Sequence, residues 1–231
     1  MSFAQPPREV TAFIDFSDPL SYIVSTQLEG WCSDGSMTVR WVPISSALAS
    51  ADEDHRRNVA LSLAAMFRYP LFPRGYVNSM PAQRASVLAQ KRATISQFVM
   101  RVFQFWFATD LPPYSDILFD RLAVDCEIPQ MELSAALASA HHWTSEDVSR
   151  AAQHAQTIGV HSTPVLIAPD GTKIEVHRLN AEHPLEDLVE ELSRCGLASY
   201  VRTPAARCYL PSNTDQPERF CRWCTCGKTT S

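Results

Sequence analysis

The amino-acid sequence predicts an α/β fold interrupted by an all-helical insertion. Three observations predict it. The first 45 residues follow a strand–helix–strand pattern, a long central span is dominated by Ala, Leu, Met, Phe, Gln and Arg, and the stretch from about 160 to 195 returns to strand–turn–strand–helix. The chain has 231 residues, enough for one domain of moderate size or one domain with an insertion. Hydrophobic residues make up 45% and charged residues 19%, a balance that supports a buried core and argues against disorder along the whole chain.

Val10 to Phe16 is β-rich and apolar at both parities, which predicts a strand buried on both faces. Ser17-Asp18-Pro19-Leu20 breaks it, with Asp18 a candidate N-cap and Pro19 at the first helical position. Helical spacing runs from Ser21 to Trp31, Gly35 turns the chain, and Met37 to Pro43 predicts a second strand. The central span predicts helices near 52–67, 81–108, 115–126, 129–140 and 144–157, with Pro112-Pro113 and Pro129 as boundaries. Phe98, Val102, Phe105 and Trp106 form an aromatic stripe on the longest of them, and Phe103 and Phe107 lie off it, facing another unit or a ligand. Val165 to Ala168 is a strand entered through Pro164, Pro169-Asp170-Gly171-Thr172 is a tight turn, and Lys173 to His177 returns antiparallel. Pro184 starts a final helix, Leu185 to Cys195, stopped by Gly196. From about Tyr200 the periodicity fails and the chain reads as a linker and tail.

Several function classes are disfavoured at once. The formal net charge is −5, so a broad basic face for nucleic acid is not expected. With only 7 glycines there is no G-x-G-x-x-G and no P-loop. The start of the chain lacks an apolar run behind basic residues and no stretch approaches the roughly 18 apolar residues of a membrane span, so the expected compartment is the cytoplasm. Seven cysteines, an odd number, argue against a disulfide framework.

The order β-α-β, helical insertion, β-β-α is that of a thioredoxin fold (β-α-β / β-β-α) carrying an all-helical insertion domain. It divides the chain into 10–47 with 158–198, the insertion 48–157, and a tail 199–231. Asp15-Phe16-Ser17-Asp18-Pro19-Leu20-Ser21-Tyr22-Ile23 resembles the D-F-x-C-P-x-C-Y turn of DsbA-family proteins. It is also similar to the D-F-x-S-P-x-S-Y turn of 2-hydroxychromene-2-carboxylate isomerases and kappa-class glutathione transferases. Gly159-Val160-His161-Ser162-Thr163-Pro164 resembles the family's G-V-x-G-x-P loop, whose proline is cis. The resemblance covers roughly residues 10–195.

The departures carry chemistry. Asp18 and Ser21 occupy both redox cysteine positions, and neither can supply the thiolate that disulfide exchange needs. Where the isomerase and transferase branch places a Ser that meets the thiol of glutathione, this chain has Asp18, with Ser17 one residue earlier. A carboxylate there repels a thiolate; it serves either as a base or as a helix cap. The resemblance implies catalytic roles for Ser17, Asp18 and Ser21 and substrate contacts from Pro19, Tyr22, Thr163, Pro164 and His161. It also implies glutathione or another low-molecular-weight thiol as cofactor. The implied activity is a thiol-dependent isomerase or transferase acting on a small molecule. The competing class is a non-catalytic binding or accessory protein. The expected partner is a small-molecule substrate rather than nucleic acid or a membrane, and a homodimer is a candidate assembly.

The tail adds a separate candidate. Cys221, Cys224 and Cys226 lie within six residues and can chelate one soft metal, zinc or iron. Cys224-Thr225-Cys226 weakly resembles the opening half of a CDGSH-type iron–sulfur motif. A remnant of such a motif, or a segment that is modified or forms disulfides, are the alternatives.

Overall fold

The computed structural model describes residues 8–32, 37–45, 53–72, 77–138 and 140–195. Strand β1 (Arg8–Ile14) leads to helix α1 (Pro19–Cys32) and strand β2 (Met37–Pro43). Helices α2 (Glu53–Phe67), α3 (Met80–Lys91), α4 (Ile95–Phe107), α5 (Asp116–Asp125), α6 (Gln130–Leu137) and α7 (His142–Thr157) follow. Strands β3 (Val165–Ile167) and β4 (Lys173–Glu175), a 3-10 turn (Val176–Arg178) and helix α8 (Pro184–Arg194) complete the described chain. The sheet order is β2-β1-β3-β4. β1 runs parallel to β2 and antiparallel to β3, and β3 is antiparallel to β4. This is the predicted thioredoxin order.

The two-sided apolar character of β1 has a direct structural reason. Val10, Ala12 and Ile14 face the main core, while Phe13 faces a smaller cluster with Ile44, Ala155, Val160 and Val165. Alternate residues of a strand point to opposite faces, so both faces of this strand are covered. β1 ends at Ile14 rather than Phe16 because Asp15 turns the chain: its Oδ1 accepts from the Ser17 amide at 2.9 Å and from the Ser17 hydroxyl at 2.8 Å.

Phe16, Phe98, Phe103 and Trp106 are fully buried and share ring contacts. Each such burial contributes about 1.5–3 kcal/mol against leaving the ring in water. Phe103 and Phe107, predicted to lie off the stripe, pack on Tyr22 of α1, Phe103 tilted at a ring-centroid distance of 6.1 Å and Phe107 stacked at 5.7 Å. They therefore face the sheet unit and not solvent. One continuous core thus joins the helical insertion to the thioredoxin elements.

The long helix predicted over 81–108 is two helices. Ala93 has φ 58°, and the Thr94 amide donates to Ala89 O at 2.9 Å while the Ala93 amide donates to Gln90 O at 3.2 Å. That is a Schellman ending, with Ala in the left-handed position that glycine usually takes. The Thr94 hydroxyl donates onward to Cys126 O at 3.1 Å, which ties the break to the end of α5. The strand predicted to reach His177 stops at Glu175, and Val176–Arg178 curls into the 3-10 turn.

Candidate functional site

The N-terminus of α1 organises the site. Asp18 caps this helix: its Oδ1 accepts from the Leu20 amide and its Oδ2 from the Ser21 amide, each at 3.1 Å. Its Oδ2 also accepts from the Ser21 hydroxyl at 2.7 Å and faces Nη2 of Arg56 at 3.0 Å. The Ser21 oxygen in turn accepts from the Asp15 amide at 3.2 Å. Asp18 is 2% exposed and Ser21 0%, so the carboxylate is surrounded by donors and shielded from water. Burial pushes the Asp18 carboxyl above the usual range, and Arg56, the Ser21 hydroxyl and the Leu20 amide pull it back.

Arg56 comes from α2, in the helical insertion, and is itself buried. Its Nη2 also donates to the carbonyl of Thr163, the residue before the cis Pro164. One guanidinium therefore ties the α1 turn to the proline loop. Two more bonds hold α2 against the sheet unit: His55 Nε2 lies 3.1 Å from Leu179 O, and the Ser62 hydroxyl donates to Ala181 O at 3.2 Å. A buried carboxylate needs a cation, because an unpaired buried charge is strongly unfavourable.

The predicted site residues separate into two sets. Asp18, Ser21, Thr163 and Pro164 are brought together but buried, with Thr163 at 0% exposure. Ser17 and Pro19 remain partly exposed on the outer side of the turn, and His161 is exposed on the proline loop. Tyr22 belongs to the aromatic core, at 3% exposure, rather than to the site surface. Burial, and next the neighbouring Tyr69, push the pKa of its phenol up, so it stays protonated.

Sequence reasoning missed Arg56, Ser162 and His177. The only signal for Arg56 was indirect: a carboxylate at an apolar turn implies a cation somewhere. Ser162 stands where the G-V-x-G-x-P pattern has its second Gly, and that departure was legible. The Ser162 hydroxyl lies 2.8 Å from Nε2 of His177. Burial, and next the Arg56 charge, hold His177 below its ordinary value near 6.5.

The described free thiols are not at this site. Burial pushes Cys126 up to about 12, and burial raises Cys195 as well. The tail cysteines Cys221, Cys224 and Cys226 lie outside the described residues, among which no cluster of three or more His, Cys, Asp or Glu could hold a metal. Among the described residues no helix is long and apolar enough to cross a membrane.

No family model matches the sequence. No curated protein sequence matches it either. Solved structures do. A 2-hydroxychromene-2-carboxylate isomerase aligns with TM-score 0.64 and 18% identity, over 80% of this chain and 96% of that one. A probable DsbA oxidoreductase from Streptomyces coelicolor aligns with TM-score 0.59 and 15% identity, over 91% and 97%. The cytosolic disulfide reductase DsbM from Pseudomonas aeruginosa, in a structure with GSH, aligns with TM-score 0.55 and 13% identity, over 80% and 99%. Together with the strand order and the helical insertion, these likenesses give the protein a DsbA-like thioredoxin fold that resembles the isomerase among those neighbours.

Proposed function

We propose that this chain is a thiol-dependent isomerase or transferase for a small molecule, with a low-molecular-weight thiol such as glutathione seated on the outer side of the α1 turn. The observation that carries the reading is the Arg56 tie, which holds the turn and the proline loop in one rigid unit with no thiol in the turn itself. Asp18 and Ser21 then position the site and do not touch the ligand, because both are buried. Ser17 takes the contact role: its partly exposed hydroxyl donates to Asp15 and keeps lone pairs for an incoming S–H. The glutathione bound in one fold neighbour and the isomerase activity of another support this choice of ligand and reaction class.

Isothermal titration with reduced glutathione tests the reading. Saturable binding is expected, weakened about fivefold in Ser17→Ala, the worth of one hydrogen bond of about 1 kcal/mol. Absence of heat at millimolar glutathione would sink the thiol reading. The burial of Asp18 and Ser21 favours a second reading, a binding protein without catalysis. Glutathione binding with no turnover across a panel of aromatic acids and electrophiles would favour that one.

A further inference from the structure

Helix N-termini commonly hold anions, because their first amides lack partners within the helix. In α1 those donors are engaged from within. The Ser17 amide donates to Asp15 Oδ1 at 2.9 Å and the Asp18 amide to the Asp15 carbonyl at 3.1 Å. Pro19 has no N–H to offer. The Leu20 and Ser21 amides donate to the two Asp18 carboxylate oxygens, and the Tyr22 amide to the Asp18 carbonyl at 3.2 Å. The hydroxyls are engaged as well. Ser21 donates to Asp18 Oδ2 at 2.7 Å and Ser17 to Asp15 Oδ1 at 2.8 Å. The partly exposed Ser17 oxygen is left with lone pairs. Toward a ligand, the turn is therefore an acceptor only.

Resting on the thiol site described above, we propose that Asp15 selects the form of the ligand: the thiol is bound as neutral S–H, and its thiolate is rejected. Ser17 touches the sulfur and accepts a hydrogen bond from its proton. Asp15 acts through Ser17 as a positioning residue. Its carboxylate, 2% exposed, keeps the hydroxyl proton on the inner side and turns the oxygen lone pairs outward. A thiolate in the same place would meet no donor from the turn, and a carboxylate one hydroxyl away. No covalent bond forms or breaks in this step.

The other charges near the turn do not reverse the preference. Asp18 adds a second carboxylate, and Arg56 of α2 is its partner at 3.0 Å. Arg56 also donates to the Thr163 carbonyl, so its donors point inward. Burial raises Asp18 most, and the Asp15 charge adds to that push, which shows negative charge already felt within the turn. On the proline-loop side stand His161, exposed, and His177, held below its ordinary value by burial and then by Arg56.

Isothermal titration of the full-length chain with glutathione and with S-methylglutathione, at about pH 7.5 and about pH 9.5, tests this. The methylated probe carries the same ammonium and carboxylates and no thiol proton, so the ratio of the two affinities isolates the sulfur. A thiol of pKa about 8.5 is roughly nine-tenths protonated at the lower pH and one-tenth at the higher. The preference for glutathione should therefore fall about tenfold between them, in step with the form that binds. Binding at the lower pH should add no ultraviolet absorbance of a thiolate. In Asp15→Asn the fall should shrink to about threefold or less, because a neutral amide holds the hydroxyl proton roughly half as strongly. A preference that stays level or rises with pH in the parent would overturn the proposal. So would thiolate absorbance appearing on binding at the lower pH, or the full fall in an Asp15→Asn variant that melts like the parent. Should that variant fail to fold, the parent's ratio and absorbance decide. Glutathione that binds at neither pH overturns the thiol reading and this one with it, whereas binding with a level ratio overturns this one alone.

Discussion

Removing the Asp18 carboxylate would strand the Arg56 guanidinium in a place that excludes water. Asp18→Ala is therefore expected to destabilise the fold by about 3–5 kcal/mol, since it leaves one buried charge without its partner. The double variant Asp18→Leu with Arg56→Met removes both charges, and should recover most of that loss or exceed the parent. Urea unfolding of the three variants reads the difference, and equal losses in single and double variants would show that the pair is not the cause. The same residues mark how far the sequence alone could go. Asp18 as the cap of α1 followed from its place before Pro19 and the apolar run. Its charge partner did not, because Arg56 is brought in by another element and nothing local distinguishes it from Arg57. The expected roles of Asp18 and Ser21 as groups facing a ligand assumed an open turn, and only packing reveals that the turn is sealed.

The helix ends show a backbone economy built with few glycines. Gly159 has φ 71° and takes the left-handed position after α7, whereas Arg68, Ala93 and Glu127 take it after α2, α3 and α5. A non-glycine residue there costs roughly 1–2 kcal/mol in contacts between Cβ and the backbone. Ala93→Gly should therefore raise Tm by about 2–4 °C, the shift expected from about 1 kcal/mol in a chain of this size. Gly159→Ala should lower it. A Cβ at 159 would sit in the left-handed region and 3.2 Å from the Lys173 ammonium, which donates to the carbonyls of Ile158 and Gly159. A calorimetric scan in which both substitutions move Tm the same way would contradict this account. The break between α3 and α4 was illegible for the same reason. Arg92-Ala93-Thr94 carries no glycine or proline, so the periodicity ran through it. The strands and the other helices were legible because their apolar spacing and their flanking prolines agreed.

At the scale of the whole molecule, the insertion does not behave as an appendage. Phe16 and Tyr22 of the sheet unit pack on Phe98, Phe103, Trp106 and Phe107 of α4. The boundaries read from the sequence mark where the pattern changes, and the apolar core crosses them. A chain in which residues 46–157 are replaced by a short Gly/Ser linker should fail to form a cooperative fold. It would expose these rings and lose the cation that neutralises Asp18. Near-UV circular dichroism and a urea titration check this. A sharp transition with native-like aromatic signal would show that the sheet unit stands alone.

The bond from Arg56 to the Thr163 carbonyl also bears on which molecules can dock. A client polypeptide that adds itself as a strand gains its affinity from main-chain ladder bonds. Beside Pro164 the residue that would offer such bonds is fully covered, and its oxygen is already satisfied from within. An added strand would have to reach a carbonyl that is out of contact with solvent and already holds a charged donor, so a further ladder bond there gains little. A compact ligand held by side chains at the rim does not depend on that carbonyl. The fold has thus closed a peptide-docking edge from the inside, and unfolded protein chains should be poor competitors for this surface even when they are abundant.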